Sequence, residues 1–79
     1  MGKMSYNTFM RINYDPKEDA MYIRFSEASY AGSNEVQDGV FFDMDASSAI
    51  AGLELLNVSS KIPKLNTKEF KYEITPEWK

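Results

Sequence analysis

The chain has 79 residues and a net charge of −3, and it contains neither cysteine nor histidine. This composition excludes disulfide bonds and Cys/His zinc sites, and it lacks the best nucleophile and the best proton carrier at neutral pH. A domain of this length buries only about 60–65% of the surface of its unfolded chain, so its core is thin. We therefore expect one small domain over residues 1–79, not an enzyme, with no cofactor or metal, and stabilised by self-association or by a partner.

Alternation of apolar and polar residues predicts a β-hairpin near the start of the chain. Residues 10–14 and 20–25 place apolar side chains at every second position, which is typical of strands with one buried face. The intervening residues 15–19 include Pro16 and are otherwise charged. Proline fixes the backbone angle of a turn, and an aspartate before it accepts hydrogen bonds from the amides of the turn.

The middle of the chain predicts a loop, a weak strand and a tight turn. Residues 27–34 are rich in Ser, Ala and Gly, and residues 33–37 have only weak strand character. Asp38 and Gly39 then form a strong turn signal, because glycine adopts a positive φ without steric cost. Residues 40–45 alternate again and predict the next strand.

The second half predicts a central strand, a helical turn and a last strand. Residues 50–56 are apolar on both faces except at Glu54, which favours a central position in the sheet. Residues 58–62 can form a helical turn that Pro63 ends, and residues 69–74 alternate like a strand. The sequence thus predicts a mainly β fold, or alternatively α+β: an antiparallel meander sheet of five to six strands with at most one short helix near residues 58–62.

Six short motifs follow one another between the first turn and the central strand. In chain order they are Tyr14-Asp15, Asp19-Ala20-Met21-Tyr22-Ile23, Glu35-Val36, Asp38-Gly39-Val40, Asp43 and Gly52-Leu53-Glu54-Leu55-Leu56. This ordered set resembles a family of small prokaryotic proteins catalogued as domain of unknown function 2283, over about residues 10–60. The resemblance implies a β-rich domain without an established activity. Some members look like partners of small toxin-like proteins, which makes an antitoxin role an expectation by analogy.

Two parts of the chain depart from the family pattern. After Asp45 such sequences usually place a glycine, whereas residues 46–49 read Ala-Ser-Ser-Ala here, which leaves the geometry of this turn open. Residues 61–79 lie outside the shared region. We regard them as a variable C-terminal extension where a special role of this chain could reside.

Carboxylates in two places admit two interpretations. Asp15 and Asp19 flank the first turn, and Asp43 and Asp45 share one face of a strand. Mg²⁺ and Ca²⁺ favour several carboxylate oxygens, but the ligand spacing of an EF-hand loop is absent. We therefore interpret the first pair as structural residues of the hairpin and the second pair as part of a solvated outer face.

Glu54 is an acid in an otherwise apolar strand, and a buried acid must find a hydrogen-bond partner. Arg24 or Arg11 on neighbouring strands can supply one, so the sequence favours a structural ion pair over a catalytic acid. Gly39 and Gly52 are also interpreted as structural residues.

Several aromatic residues could form a platform for nucleic-acid bases, namely Tyr14, Tyr22, Phe41 and Tyr72. Base stacking of this kind needs basic surroundings that neutralise phosphate, and the middle of the chain is acidic. We expect these rings to pack in the core or an interface, with Tyr14 and Tyr22 in structural roles, and we expect no direct nucleic-acid binding.

Charge is distributed unevenly along the chain. Residues 1–24 carry a net charge of +1, residues 25–60 carry six acidic side chains and no basic one, and residues 61–79 carry a net charge of +2. The six acidic residues are Glu27, Glu35, Asp38, Asp43, Asp45 and Glu54. A long block without a basic residue creates a negative field over part of the surface and favours a basic protein partner.

These observations predict a non-enzymatic protein-interaction domain, antitoxin-like or inhibitory toward a nucleic-acid-handling complex. The residues expected to contact a basic partner are Glu35, Asp38, Phe41, Asp43, Asp45 and Trp78. The alternatives are a self-associating structural module, such as a homodimer, and a divalent-metal-dependent enzyme. No apolar run approaches the ~20 residues that span a bilayer, so we expect a cytoplasmic protein without membrane contact.

Overall fold

A computed structural model describes residues 9–76 of the chain. These residues contain five strands and one short helix. The elements are β1 Arg11–Asp15, β2 Ala20–Arg24, β3 Gly32–Gln37, β4 Val40–Met44, β5 Ile50–Leu56 and α1 Val58–Lys61. All neighbouring strands are antiparallel. The mainly β fold, the meander-like sheet and the short helix are therefore confirmed. Trp78 lies outside the described residues.

The strand order is β1-β2-β5-β4-β3, which places β5 in the centre of one open sheet. The hairpins β1–β2 and β3–β4 pair with its two sides, as expected for a strand that is apolar on both faces. β1 and β3 are the edge strands. Within residues 9–76 no helix is long and apolar enough to cross a membrane.

The register sorts the strand residues onto two faces, because directly opposed residues share a face. One row of opposed residues is Ile12, Ile23, Leu53 and Phe42, and the next is Tyr14, Met21, Leu55 and Val40. We call this side the apolar face. The opposite side, the polar face, carries the row Asn13, Tyr22, Glu54, Phe41 and Glu35 and the row Arg11, Arg24, Gly52, Asp43 and Ser33.

Two turns contain a residue with a positive φ. Gly39 has a φ of 75° in the turn between β3 and β4, as its pairing with Asp38 predicts. In the turn after Asp45, Ser48 has a φ of 68°, a conformation that favours glycine. The Asp45 carboxylate accepts hydrogen bonds from the amides of Ser47 (2.8 Å) and Ala49 (3.0 Å). These bonds hold the turn in place although the family's usual glycine is absent.

The charged corner between β1 and β2 is a structural junction. Asp15 accepts hydrogen bonds from the amides of Lys17 (3.0 Å) and Glu18 (3.2 Å), and so closes the turn. Asp19 accepts bonds from the Tyr14 hydroxyl (2.8 Å) and the Ser59 hydroxyl (2.6 Å). The bonds from Ser59 and Tyr14 hold the pKa of Asp19 below its ordinary value. This carboxylate therefore anchors the start of α1 to the hairpin.

The last predicted strand is not formed. Residues 69–74 have the expected alternation, but they pair with no strand among the described residues. Conversely, the weak strand signal before Asp38 corresponds to the real edge strand β3. Pairing with β4 stabilises β3 despite its polar sequence, whereas residues 69–74 have no partner strand among residues 9–76.

Few large apolar side chains are buried. Within residues 9–76 the buried hydrophobic residues are Ala20, Ala51 and Val58. One sheet with one short helix cannot enclose the apolar side chains of both faces. The thin core predicted from the length of the chain is thus visible in the structure.

Gly52 allows Tyr30 to lie close against the centre of the polar face. A Cβ at this position would lie 2.6 Å from the Tyr30 hydroxyl oxygen and 3.0 Å from the Ile23 carbonyl oxygen. We expect Gly52→Ala to lower the free energy of unfolding by about 1–3 kcal/mol, as other overpacking changes do. Urea unfolding measures this loss.

Gly32→Ala is the matched control, because nothing lies within 4 Å of a Cβ added at Gly32. Its unfolding free energy should stay within about 0.5 kcal/mol of the parent protein. Equal losses in the two variants would contradict the close approach of Tyr30.

Candidate functional site

The polar face carries a buried acid. Asp43 has no solvent-exposed area, so its interpretation as part of a solvated outer face is wrong. Tyr30, from the loop between β2 and β3, lies over Gly52, the register partner of Asp43. The Ser33 hydroxyl donates a hydrogen bond to Oδ1 of Asp43. Asp43 is thus buried, although strand alternation alone would place it in solvent.

Asp43 and Glu54 form a carboxyl pair. The contact with Asp43, followed by burial and by the negative charge of Asp43, raises the pKa of Glu54 to about 7. Oδ2 of Asp43 is buried and has no hydrogen-bond partner among the described residues. The raised pKa of Glu54 favours a proton shared between the two carboxyl groups, which two such groups in contact need to be stable.

The expected ion pair of Glu54 with an arginine is wrong for both candidates. Arg24 donates a hydrogen bond to the carbonyl oxygen of Ala28 (2.9 Å), and its guanidinium lies 4.6 Å from the centre of the Tyr30 ring. Arg11 forms an ion pair with Glu27 at 3.3 Å. Tyr30 occupies the space over Gly52 between Arg24 and the buried acid, which keeps the opposite charges apart.

Most of the acidic block has partners inside the chain. The contacts of Glu27, Asp43, Asp45 and Glu54 are described above. In addition, the Glu35 carboxylate accepts a hydrogen bond from the Gly39 amide (3.0 Å). Asp38 is exposed and forms no side-chain hydrogen bond or ion pair with the described residues. No three acidic side chains between residues 9 and 76 are placed so that they could hold one metal ion.

The apolar face borders a groove of about 880 Å³. One wall is formed by side chains of the sheet: Ile12, Tyr14, Met21, Ile23 and Leu55. The other wall is formed by the chain after α1, chiefly Ile62, Leu65, Phe70 and Tyr72. Such an apolar concavity is suited to bind apolar side chains or another hydrophobic group, and it offers few polar groups for chemistry.

Sequence reasoning missed this groove. Of the residues expected to contact a partner, Phe41 is half-buried on the polar face and Asp43 is inaccessible. The available signal was the alternation of Phe70, Tyr72 and Ile74, which was interpreted as a strand of the sheet. That pattern marks a segment with an apolar side, and the groove lies against that side.

The carboxyl pair predicts that stability depends on pH. The pKa of Glu54 is higher in the folded state than its ordinary value of 4.5, so the folded protein binds this proton more tightly than the unfolded chain. The resulting stabilisation is fully present below pH 4.5 and is lost as the pH rises through about 7. The urea midpoint of the parent protein should therefore fall between pH 5 and pH 8.

Glu54→Gln should remove most of this pH dependence, because an amide donates the same hydrogen bond to Asp43 at every pH. Asp38→Asn is the control for a general effect of net charge and should keep the parent profile. A parent protein with an equal midpoint at pH 5 and pH 8 would contradict the shared proton.

Comparison with known proteins gives one match. The model of the family described as a protein of unknown function, DUF2283, matches residues 11–59, which is more than half of the chain. No curated protein and no solved structure is significantly similar to the chain. The matched region starts with β1 and ends within α1, so it contains the sheet, the carboxyl pair and the Asp19 junction. The chain belongs to the DUF2283 family.

Proposed function

We propose that this protein is a non-enzymatic protein-interaction domain that works as a homodimer formed through its apolar face. The observation that carries this proposal is the apolar groove, which leaves large hydrophobic side chains in contact with solvent. Phe70, Tyr72 and Ile74 are 63%, 66% and 70% exposed, and Ile12 is 38% exposed. Apolar area of this extent is stable in water when another surface covers it.

The apolar groove supports a second copy as the partner, because large hydrophobic side chains line both of its walls. A homodimer uses the same patch twice and needs no further component.

An antitoxin-like contact with a basic partner through exposed Asp38 is compatible with this homodimer, because Asp38 does not line the groove.

A non-enzymatic role is supported by the separation of the two candidate sites. The titratable pair lies on the polar face, where Asp43 is buried. The large groove lies on the opposite face and is mainly apolar. The titratable groups and the binding cavity thus lie on different faces, whereas in an enzyme active site they lie together.

Sedimentation velocity tests the homodimer. We expect the parent protein to sediment as a dimer at micromolar concentration, and we expect Ile12→Glu to raise the dissociation constant at least about tenfold, because it places a charge in the groove. Val36→Glu is the control, since Val36 is 51% exposed on the edge strand β3 and does not line the groove.

Circular dichroism on both variants separates a lost interface from a lost fold. A parent protein that remains monomeric at every concentration would contradict the proposal. Equal weakening by the two substitutions would also count against the apolar face as the contact.

A further inference from the structure

We infer that residues 69–74 of two copies pair as antiparallel strands across the dimer axis, centred on Tyr72, and together cover the grooves. This inference rests on the proposed function, because it specifies which part of each copy completes the interface. It assigns the extension outside the family match a role in binding.

The first argument is the unused strand pattern. As a strand, residues 69–74 would place Phe70, Tyr72 and Ile74 on one side and Glu69, Lys71 and Glu73 on the other. The described part of the chain offers this segment no ladder partner. Backbone amides and carbonyls of an extended segment are a ready template for pairing with another strand.

The second argument is the position of the segment. Phe70 and Tyr72 lie in the wall of the groove that is opposite the apolar face of the sheet. The groove between the two walls has a volume of about 880 Å³, and one copy of the segment does not close it. A second strand beside the first widens the apolar cover and brings more side chains into the groove.

The third argument is that the segment is complementary to itself in only some registers. When Tyr72 opposes its own copy, Lys71 opposes Glu73 twice and Phe70 opposes Ile74 twice. Opposite charges and aromatic–β-branched pairs both stabilise antiparallel strands. When Lys71 opposes its own copy instead, Glu69 opposes Glu73 and like charges meet. In the register centred on Tyr72, both Phe70–Ile74 pairs form. In a register centred on Phe70, Ile74 opposes no residue of the segment.

Charge exchange tests this register by sedimentation at low ionic strength. Lys71→Glu and Glu73→Lys should each raise the dissociation constant roughly tenfold, because each substitution creates two like-charge pairs in the dimer. The double variant K71E/E73K restores opposite charges and should return the dissociation constant to within about threefold of the parent value.

Glu69→Lys is the matched control. In the register centred on Tyr72 this residue opposes Thr75, so its reversal should leave the dissociation constant unchanged. A dimer that Glu69→Lys weakens and Glu73→Lys does not would overturn the inference in favour of a centre at Phe70.

A cysteine variant gives a second, independent measurement. The chain has no cysteine of its own, so Tyr72→Cys under mild oxidation should form a disulfide-linked dimer, and the control Val36→Cys should not. If the parent protein is a dimer but neither charge reversal nor Tyr72→Cys reports pairing, the inference fails and the proposed function stands. If the parent protein is a monomer, both fail.

Discussion

The structure depends on covering both faces of one small sheet. β5 is central and, apart from Glu54, apolar on both sides, so both faces need cover from water for this strand to be stable. On the polar face the loop before β3 supplies the cover through Tyr30. On the apolar face the chain supplies α1 and the extension, which leave a groove. The difference between the two faces explains why one holds a buried polar cluster and the other suggests a partner.

The cover on the polar face has an unusual composition. Tyr30 lies over a glycine, an arginine stacks on its ring, and Asp43 lies beyond it with no exposed area. Burying an ionised carboxyl group is costly unless it is well hydrogen-bonded. Ser33 supplies one hydrogen bond to Asp43, and the raised pKa of Glu54 favours a shared proton between the two carboxyl groups. The acidic residues that dominate the middle of the sequence therefore act largely within the fold.

Local patterns were sufficient to predict most of the sheet. Alternation and turn residues gave both hairpins, the conformation of Gly39 and the central place of β5, because these features depend on neighbouring residues and on two-sided burial. The burial of Asp43 was not predictable in this way, since alternation reports which face a side chain lies on and does not report whether that face is covered. The interpretation of residues 69–74 was wrong because alternation reports an apolar side and does not report whether a partner strand exists.

The Asp19 junction lies at the boundary of the family match. Ser59, the last matched residue, donates a hydrogen bond to the Asp19 carboxylate, which also accepts one from Tyr14. The matched region therefore contains both ends of the contact that ties α1 to the first hairpin. A change of sequence after Ser59 leaves every donor and acceptor of this contact in place.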